Sequence, residues 1–194
     1  MSYIREVPLD AKNYPPFAAV ILSFGFLPNF YRSLTLWPDL IEAEIQLIEA
    51  ILVKDGALTR QDKEYIFLVC SAANMSTYCV TAHCEMIRML NLAGPEPERI
   101  AVDHTATNLQ MATKALLNFA VKLNNEPVAI GQADVGGLRT FGYSDEQILE
   151  TIVMVGIAKF ANFVSMGLGT VPDFDSTRIE LRSKETADET RAML

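Results

Sequence analysis

A carboxylate, a thiol and an imidazole lie close together in the middle of the chain. Glu64 is in one apolar segment, and Cys79 and His83 are in the next. In a helix, Cys79 and the fourth residue after it lie on the same face one turn apart, close enough to exchange a proton. Glu64, on the preceding helix, could orient His83 or relay its proton. These residue types and spacings predict a thiol-based proton relay.

The position of Cys79 bears on its ionisation. If Ser76 or Thr77 caps the second helix, Cys79 lies in the first turn, where unpaired backbone N–H groups and the helix dipole favour a thiolate. The sequence therefore predicts a lowered pKa for this thiol. The alternative interpretation is a buried histidine beside an inert cysteine. For Cys70 and Cys84 we expect small buried hydrophobic side chains.

The elements that must position these residues are helices. Thr59 and Asp62 resemble an N-cap and a first-turn acid, which predicts a helix from about Arg60 to Met75, followed by a second helix up to Leu92. The two form a hairpin centred on Ser76. Further helices are predicted after Pro15-Pro16, from Trp37-Pro38 to about Lys54, over 109–123 and 132–140, and from a capping box at 144–147 to about Leu168.

The fold class predicted from this pattern is all-α, since no strand pattern competes convincingly. We expect a single helical domain over residues 1–172, with residues 173–194 as a docked helix or a frayed tail. Half of the 194 residues are hydrophobic. Such a high share in a small protein suggests that part of the apolar surface is covered by another copy, so we expect a homo-oligomer.

Composition also excludes several classes of partner. The net charge of −8 argues against binding to nucleic acid or to an anionic membrane, because no basic cluster is present to release phosphate counterions. Two histidines and no clustered carboxylates give no metal-site spacing, and the glycines do not follow strands as in a nucleotide-binding loop. We therefore predict neither a metal nor a cofactor.

The cellular location is inferred from three features. The N-terminal residues lack the order of charged, apolar and small residues that export requires. Three cysteines, an odd number, make a structural disulfide framework improbable. The longest apolar run, Phe17 to Leu27, is shorter than the ~20 residues that span a bilayer. We expect a cytoplasmic protein.

At these residues the sequence resembles the AhpD-like alkylhydroperoxidase and carboxymuconolactone decarboxylase superfamily, and specifically its peroxidase-related branch. Besides Glu64, Ser76-Thr-Tyr-Cys79 and His83, the resemblance covers residues 25–31, 117–122, 142–149 and 160–169. It implies an AhpD-like helical bundle built around a central helical hairpin, assembly into homo-oligomers, and reduction of peroxides through cysteine.

The chain departs from that pattern at Ser76. In the alkylhydroperoxidase pattern a Glu precedes a Cys-x-x-Cys pair, and a His follows the second cysteine by four positions. Glu64, Cys79 and His83 fit this spacing, but Ser76 occupies the place of the first cysteine. A serine can hydrogen-bond the sulfur or cap the helix, yet it cannot form the internal disulfide that discharges a sulfenic acid.

The resemblance therefore implies a peroxidase with a single active cysteine. Cys79 would attack the peroxide or another small-molecule substrate, and the oxidised sulfur would be reduced by an external thiol, or by Cys84 or Cys70 of a neighbouring subunit. Two alternatives remain open. One is an acid–base enzyme of the decarboxylase type, in which Glu64 and His83 exchange protons with the substrate and Cys79 is a pocket wall. The other is a non-catalytic oligomeric binding protein.

Overall fold

The computed structural model describes residues 2–9, 12 and 14–175, and within these residues the protein consists of α-helices without a β-strand. The helices are α1 (Pro15–Phe24), α2 (Asn29–Ser33), α3 (Pro38–Ile48), α4 (Arg60–Ala73), α5 (Thr77–Met89), α6 (Pro97–Asp103), α7 (Met111–Asn125), α8 (Gln132–Thr140) and α9 (Asp145–Leu168). A π-helical turn, Glu49–Val53, extends α3. The prediction of an all-α fold is confirmed. The sequence did not indicate the short helices α2 and α6.

Helix α4 lies at the centre of the bundle and contacts α5, α6, α7 and α9. Its N-cap is Thr59, as predicted, and the Thr59 hydroxyl oxygen accepts a hydrogen bond from Asp62 N (3.1 Å). Residues 63–71 are all buried, which explains why this segment is apolar around most of its circumference. A polar residue in it, such as Glu64, must find its partners inside the protein.

A tight turn connects α4 to α5. Ser76 N donates to Ser71 O (2.9 Å) and Met75 N donates to Ala72 O (3.0 Å), the two backbone bonds of a Schellman motif. Met75 takes the left-handed conformation (φ 59°), in which glycine is usual. Because the turn is tight, α5 runs back along α4, and the predicted hairpin is present.

The second helix of the hairpin is shorter than predicted. It ends at Met89, and a second Schellman motif follows, in which Leu92 N donates to Ile87 O (3.1 Å). Asn91 takes the left-handed conformation (φ 50°), which asparagine tolerates better than most residues. The sequence predicts a helix up to Leu92, because the stronger helix breakers, Gly94 and Pro95, follow only there.

The long helix α9 begins at the predicted capping box. Gln147 N donates to Ser144 Oγ (3.3 Å) and Ser144 N donates to Gln147 Oε1 (2.9 Å). By length and composition α9 could cross a membrane, a test that the core helix of a soluble protein also passes. Helix α9 packs on α4, α5 and α7, and its buried face brings Asn162 and Ser165 against the hairpin.

After α9 the chain returns across α2. The Asp173 carboxylate accepts hydrogen bonds from Asn29 N (3.1 Å) at the start of α2 and from the Tyr78 hydroxyl (2.7 Å) on α5. This places Phe174 edge-on to Phe26, with ring centroids 5.7 Å apart. The predicted terminal segment, residues 173–194, lies outside the described residues from position 176 onward.

Candidate functional site

A cavity of about 120 Å³ lies between the α4–α5 hairpin and the α1–α3 side of the bundle. Cys79 and His83 of α5, Glu44 of α3 and Tyr31 of α2 line it, and phenylalanines make up much of the remaining surface. An apolar protein cavity of about 150 Å³ is known to hold benzene. The space beside Cys79 therefore suits a molecule of about one aromatic ring.

Glu64 and His83 form the hydrogen-bonded pair that the hairpin predicted. His83 Nδ1 lies 2.6 Å from Glu64 Oε2. Arg60, one turn earlier on α4, donates from Nε to Glu64 Oε1 (2.7 Å). The Glu64 side chain is 0% exposed, so neither of its oxygens reaches water. Both oxygens nevertheless have a partner inside the protein.

These partners decide the charge of Glu64. Burial alone would raise the pKa of this carboxyl, because a carboxylate loses its hydration in the interior. The contacts with His83 and Arg60 outweigh burial, and the pKa of Glu64 lies below its usual range. Glu64 is therefore a carboxylate at neutral pH, as a proton relay requires.

The orientation of His83 is fixed on two sides. Its ring stacks on Phe67, with centroids 3.7 Å apart and planes 21° apart. Since Nδ1 faces Glu64, the nitrogen left for a substrate is Nε2. This arrangement presents one defined ring nitrogen to the cavity that His83 lines.

Cys79 lies in the first turn of α5, as predicted, but its environment differs from the prediction. The residue is 3% exposed, and burial raises the pKa of its thiol. Hydrogen bonds from Ser76, Ser165 and Asn162 favour the thiolate and offset part of this effect. The prediction of a lowered pKa is wrong, because loss of hydration outweighs the helix N-terminus and the polar neighbours.

The thiol of Cys79 and the imidazole of His83 are not directly hydrogen-bonded to each other. In the part of the chain that the structure describes, no hydrogen bond joins Cys79 to His83, and Cys79 Sγ instead lies 3.5 Å from Ser165 Oγ. Both residues nevertheless line the same cavity. A molecule bound in that cavity could carry a proton between them.

Ser76 contacts the sulfur rather than capping the helix. Among the described atoms its side chain makes no capping hydrogen bond, contrary to one of the two roles considered for it. Its hydroxyl is fully buried and lies 3.2 Å from Ser165 Oγ. Ser76 and Ser165 thus form a hydroxyl pair beside Cys79, where an alkylhydroperoxidase pattern has a second thiol.

Sequence reasoning missed three of these neighbours. Asn162 and Ser165 are three residues apart on the apolar helix α9, and this spacing on a buried face was the available signal. Asn162 Nδ2 also donates to Ser71 Oγ (2.9 Å), so its amide is held in place. Arg60 precedes Glu64 by one helical turn, which is the usual spacing of an ion pair on a helix.

Cys70 and Cys84 are buried, as predicted, and are 0% and 1% exposed. Burial raises the pKa of each thiol to about 12. The three cysteines all lie within the described residues and form no disulfide. Across residues 2–9, 12 and 14–175 no group of His, Cys, Asp and Glu side chains could hold a metal ion.

The protein is similar to several solved structures. A peroxidase-related protein from Ralstonia eutropha, an alkylhydroperoxidase AhpD core, has a TM-score of 0.83 and 25% identity over 94% of this chain and 98% of that one. A peroxidase-related protein from a Silicibacter species has a TM-score of 0.79 and 22% identity over 86% and 87%. The debrominase Bmp8, a cysteine-to-alanine variant in complex with 2,3,4-tribromopyrrole, has a TM-score of 0.74 and 20% identity over 97% and 99%.

No family model and no curated protein matches the chain. The structural likeness to the AhpD core extends over nearly the full length of both chains, and it includes the central hairpin that the sequence motifs predicted. This likeness shows an AhpD-like fold and supports the resemblance to the AhpD-like alkylhydroperoxidase and carboxymuconolactone decarboxylase superfamily.

Proposed function

We propose that the protein is a thiol-dependent oxidoreductase of the peroxidase type, which reduces hydroperoxides through Cys79. The observation that carries this proposal is that a thiol and a carboxylate-paired imidazole line one small cavity. Likeness to peroxidase-related proteins supports the same class of reaction. Because a debrominase shares the fold, the proposal rests on the residues of the site and not on the fold alone.

The proposed reaction begins with a hydroperoxide bound between Cys79 and His83. His83 takes the thiol proton through the bound molecule, and the thiolate attacks the terminal peroxide oxygen. The S–O bond forms as the O–O bond breaks, and the departing alkoxide takes a proton from His83. The sulfur is oxidised by two electrons to a sulfenic acid, and the hydroperoxide is reduced to an alcohol.

Burial of Cys79 fits a thiol that ionises only when substrate is present. The raised pKa keeps the sulfur protonated in the empty cavity, which protects it from unspecific oxidation. The hydroxyls of Ser76 and Ser165 lie where they can donate to the sulfur as negative charge develops. Glu64 stabilises the imidazolium that forms at the same moment.

Regeneration is proposed to use an external thiol. Ser76 cannot form a disulfide with Cys79, and Cys70 and Cys84 are buried with a raised pKa. Two molecules of a small thiol would reduce the sulfenic acid, yielding a disulfide, water and the free Cys79 thiol. We place this reaction in the cytoplasm, where reduced thiols are abundant.

The test is to treat the reduced protein with one equivalent of an alkyl hydroperoxide and to trap sulfenic acid for mass spectrometry. We expect modification at Cys79, none in Cys79→Ser, and unchanged modification in the matched control Cys84→Ser. Absence of modification at Cys79, or equal peroxide turnover in Cys79→Ser, would contradict the proposal. Bromide release from 2,3,4-tribromopyrrole is measured in parallel. Cys79-dependent bromide release without peroxide turnover would show that the substrate is a brominated ring and not a hydroperoxide.

The second candidate is an acid–base enzyme acting on a small lactone or carboxylated substrate. It is favoured by a specific observation: Glu64 and His83 are hydrogen-bonded, whereas Cys79 is protonated and not bonded to His83. In this reaction Cys79 would be a cavity wall, so Cys79→Ser would keep its turnover and Glu64→Gln would lose it. Loss of turnover in both variants favours the thiol mechanism.

We also propose that the protein works as a homo-oligomer. Large apolar side chains on the outer face of α9 are exposed in the single chain, among them Leu149 and Phe163. Burying such a face against a second copy removes it from water. Sedimentation of the wild type should give a mass above 21.5 kDa, and a monomer at all concentrations would contradict this proposal.

A further inference from the structure

The cavity that Cys79 lines is also lined by a buried carboxyl group, Glu44. It extends from α3 and is 6% exposed. Within the described part of the chain, Glu44 Oε2 is the buried side-chain polar atom that lacks a hydrogen-bond partner. An unsatisfied buried polar oxygen destabilises a fold, so such atoms are rare in native structures.

The position of Glu44 on α3 makes its unsatisfied carboxyl oxygen, Oε2, more unusual. Ile41 and Ile48 lie one turn before and one turn after it on the same inward face of α3, where the helical pattern calls for an apolar residue. A leucine or methionine at position 44 would complete that face and leave no oxygen unsatisfied. The structure of the free protein therefore gives no reason for a carboxyl here.

Tyr31 fixes the direction of this carboxyl. The Tyr31 hydroxyl is hydrogen-bonded to Glu44, and both side chains line the cavity. Burial raises the pKa of Glu44 to about 7, and the contact with Tyr31 offsets only part of that effect. Near neutral pH the group can therefore accept a hydrogen bond as a carboxylate or donate one as a carboxylic acid.

The rest of the cavity defines what can reach Glu44. Its volume is about 120 Å³, and the side chains of Phe24, Phe26, Phe30 and Phe67 contribute to its wall. A molecule that fills this space buries apolar surface against the rings and has a polar partner in Glu44, in the same cavity as Cys79. Hydrogen peroxide would use neither the apolar wall nor the space.

We propose that Glu44 is a specificity-determining residue, which binds the hydroxyl or N–H group of a compact, otherwise apolar substrate of about one ring. Held at this end, the substrate presents its other end to Cys79 and His83. The inference about binding stands on the cavity alone, and only the identity of the reacting end rests on the proposed function. Tyr31 acts through Glu44 as a positioning residue.

The test compares phenol with toluene, two probes of nearly equal size of which only phenol carries a hydroxyl. Their affinities for the full-length protein are measured by chemical-shift titration, without any turnover. We expect the wild type to bind phenol at least about tenfold more tightly than toluene, because toluene leaves Glu44 unsatisfied. In Glu44→Leu the preference should reverse, and in Tyr31→Phe it should fall to an intermediate value.

The matched control is Glu49→Gln, which changes an exposed carboxylate on the turn that extends α3 and should keep the wild-type preference. Glu44→Gln provides a second variant of nearly unchanged shape, and it should keep part of the preference. Equal affinities for the two probes in the wild type, or a preference for phenol that survives Glu44→Leu, would overturn the proposal, as would failure of both probes to bind.

This experiment separates the inference from the proposed function. A phenol preference that depends on Glu44, in a protein whose Cys79 forms no sulfenic acid, would keep the binding site and reject the thiol mechanism. Sulfenic acid formation at Cys79 without a Glu44-dependent preference would keep the thiol mechanism and reject the binding site.

Discussion

Two buried glutamates are associated with the cavity, and they behave in opposite ways: Glu44 lines it, and Glu64 is hydrogen-bonded to His83, which lines it. Glu64 is 0% exposed and has a lowered pKa, whereas Glu44 is 6% exposed and has a pKa raised to about 7. Depth of burial alone would predict the reverse order. Glu64 is bonded to His83 and Arg60, which carry or accept positive charge, while Glu44 has only the neutral Tyr31.

This difference indicates a division of work within one small cavity. A carboxylate with a fixed imidazole partner can stabilise an imidazolium, which suits proton transfer. A carboxyl with an open oxygen and a pKa near neutrality suits recognition of a polar hydrogen on a ligand. The predictions below test whether the two glutamates can be distinguished in these ways.

The largest effect is expected for Glu64→Gln. The change removes the charge that stabilises protonated His83, and it leaves Arg60 without its anion. We expect kcat/KM for a hydroperoxide to fall by about 10²-fold or more and the free energy of unfolding to fall by about 3 kcal/mol. Steady-state kinetics and urea denaturation measure the two quantities.

The control for this variant is Glu85→Gln, which removes a carboxylate on α5 that pairs with Arg88 outside the cavity. It should change kcat/KM by less than about twofold, since exposed pairs contribute little. A normal kcat/KM in Glu64→Gln would show that the Glu64–His83 bond is structural only.

The second prediction concerns the pH dependence of stability. The folded pKa of Glu44 is about 7 against 4.5 in the unfolded chain, so the folded state holds the proton more tightly. The resulting stabilisation is fully present below pH 4.5 and is lost as the pH rises to about 7. Over this window the wild type should lose up to about 3 kcal/mol that Glu44→Gln does not lose.

The contribution of Glu64 to stability changes with pH in the opposite direction. Its folded pKa is lowered, so its contribution is present above pH 4.5 and is lost as the pH falls toward the lower folded value. Urea denaturation of the wild type, Glu44→Gln and Glu49→Gln between pH 4.5 and 8 separates the two groups. If the profile of Glu44→Gln follows that of the wild type and of Glu49→Gln, Glu44 is not the group that titrates near pH 7.

Much of the arrangement of Glu64 and His83 could be predicted from sequence. Helical periodicity and the Thr59 cap gave α4, and a tight turn at Ser76 required α5 to run back along it, which brings His83 to Glu64. The charge state of Cys79 could not be predicted in this way. It depends on how completely α9 covers the sulfur, and Ser165 is far from Cys79 in sequence.

The place of Glu44 and Tyr31 in the cavity was missed for a different reason. Glu44 occupies an inward position between Ile41 and Ile48, and a charged residue on an apolar helix face was the available signal. Periodicity alone could not show that Tyr31, from α2, would reach only one side of this carboxyl. That outcome depends on how α2 lies relative to α3. Helix α2 has 5 residues and is too short to give a periodic pattern.

A third prediction concerns Ser76→Cys, which restores a second thiol beside Cys79. Because Ser76 lies within reach of the sulfur, we expect a hydroperoxide to convert the pair to a disulfide between positions 76 and 79. Turnover with a dithiol reductant should rise about tenfold, since resolution becomes intramolecular. Mass spectrometry should show loss of two hydrogens in place of gain of one oxygen.

The same substitution in a Cys79→Ser background is the control, and it should form no disulfide. A stable sulfenic acid in Ser76→Cys would mean that the two side chains do not approach each other in solution.

The smallest effect is expected for Arg60→Gln. Arg60 is 26% exposed, and His83 continues to hold the other oxygen of Glu64. The free energy of unfolding should fall by about 0.5–1 kcal/mol, and kcat/KM should fall a few-fold as the pKa of Glu64 rises. A loss as large as that of Glu64→Gln would indicate that Arg60 binds the substrate directly, since it also lines the cavity.

The central claim, that one buried glutamate is charged for chemistry and the other is poised to bind a ligand, can be measured on the carboxyl groups themselves. With ¹³C-labelled glutamate, the side-chain carboxyl resonances are followed between pH 3 and 9 in the wild type, Glu44→Gln and Glu64→Gln. We predict one resonance that titrates near pH 7 and disappears in Glu44→Gln, and one that titrates below the others and disappears in Glu64→Gln. If both glutamates titrate together with the exposed carboxyl groups, the account is contradicted.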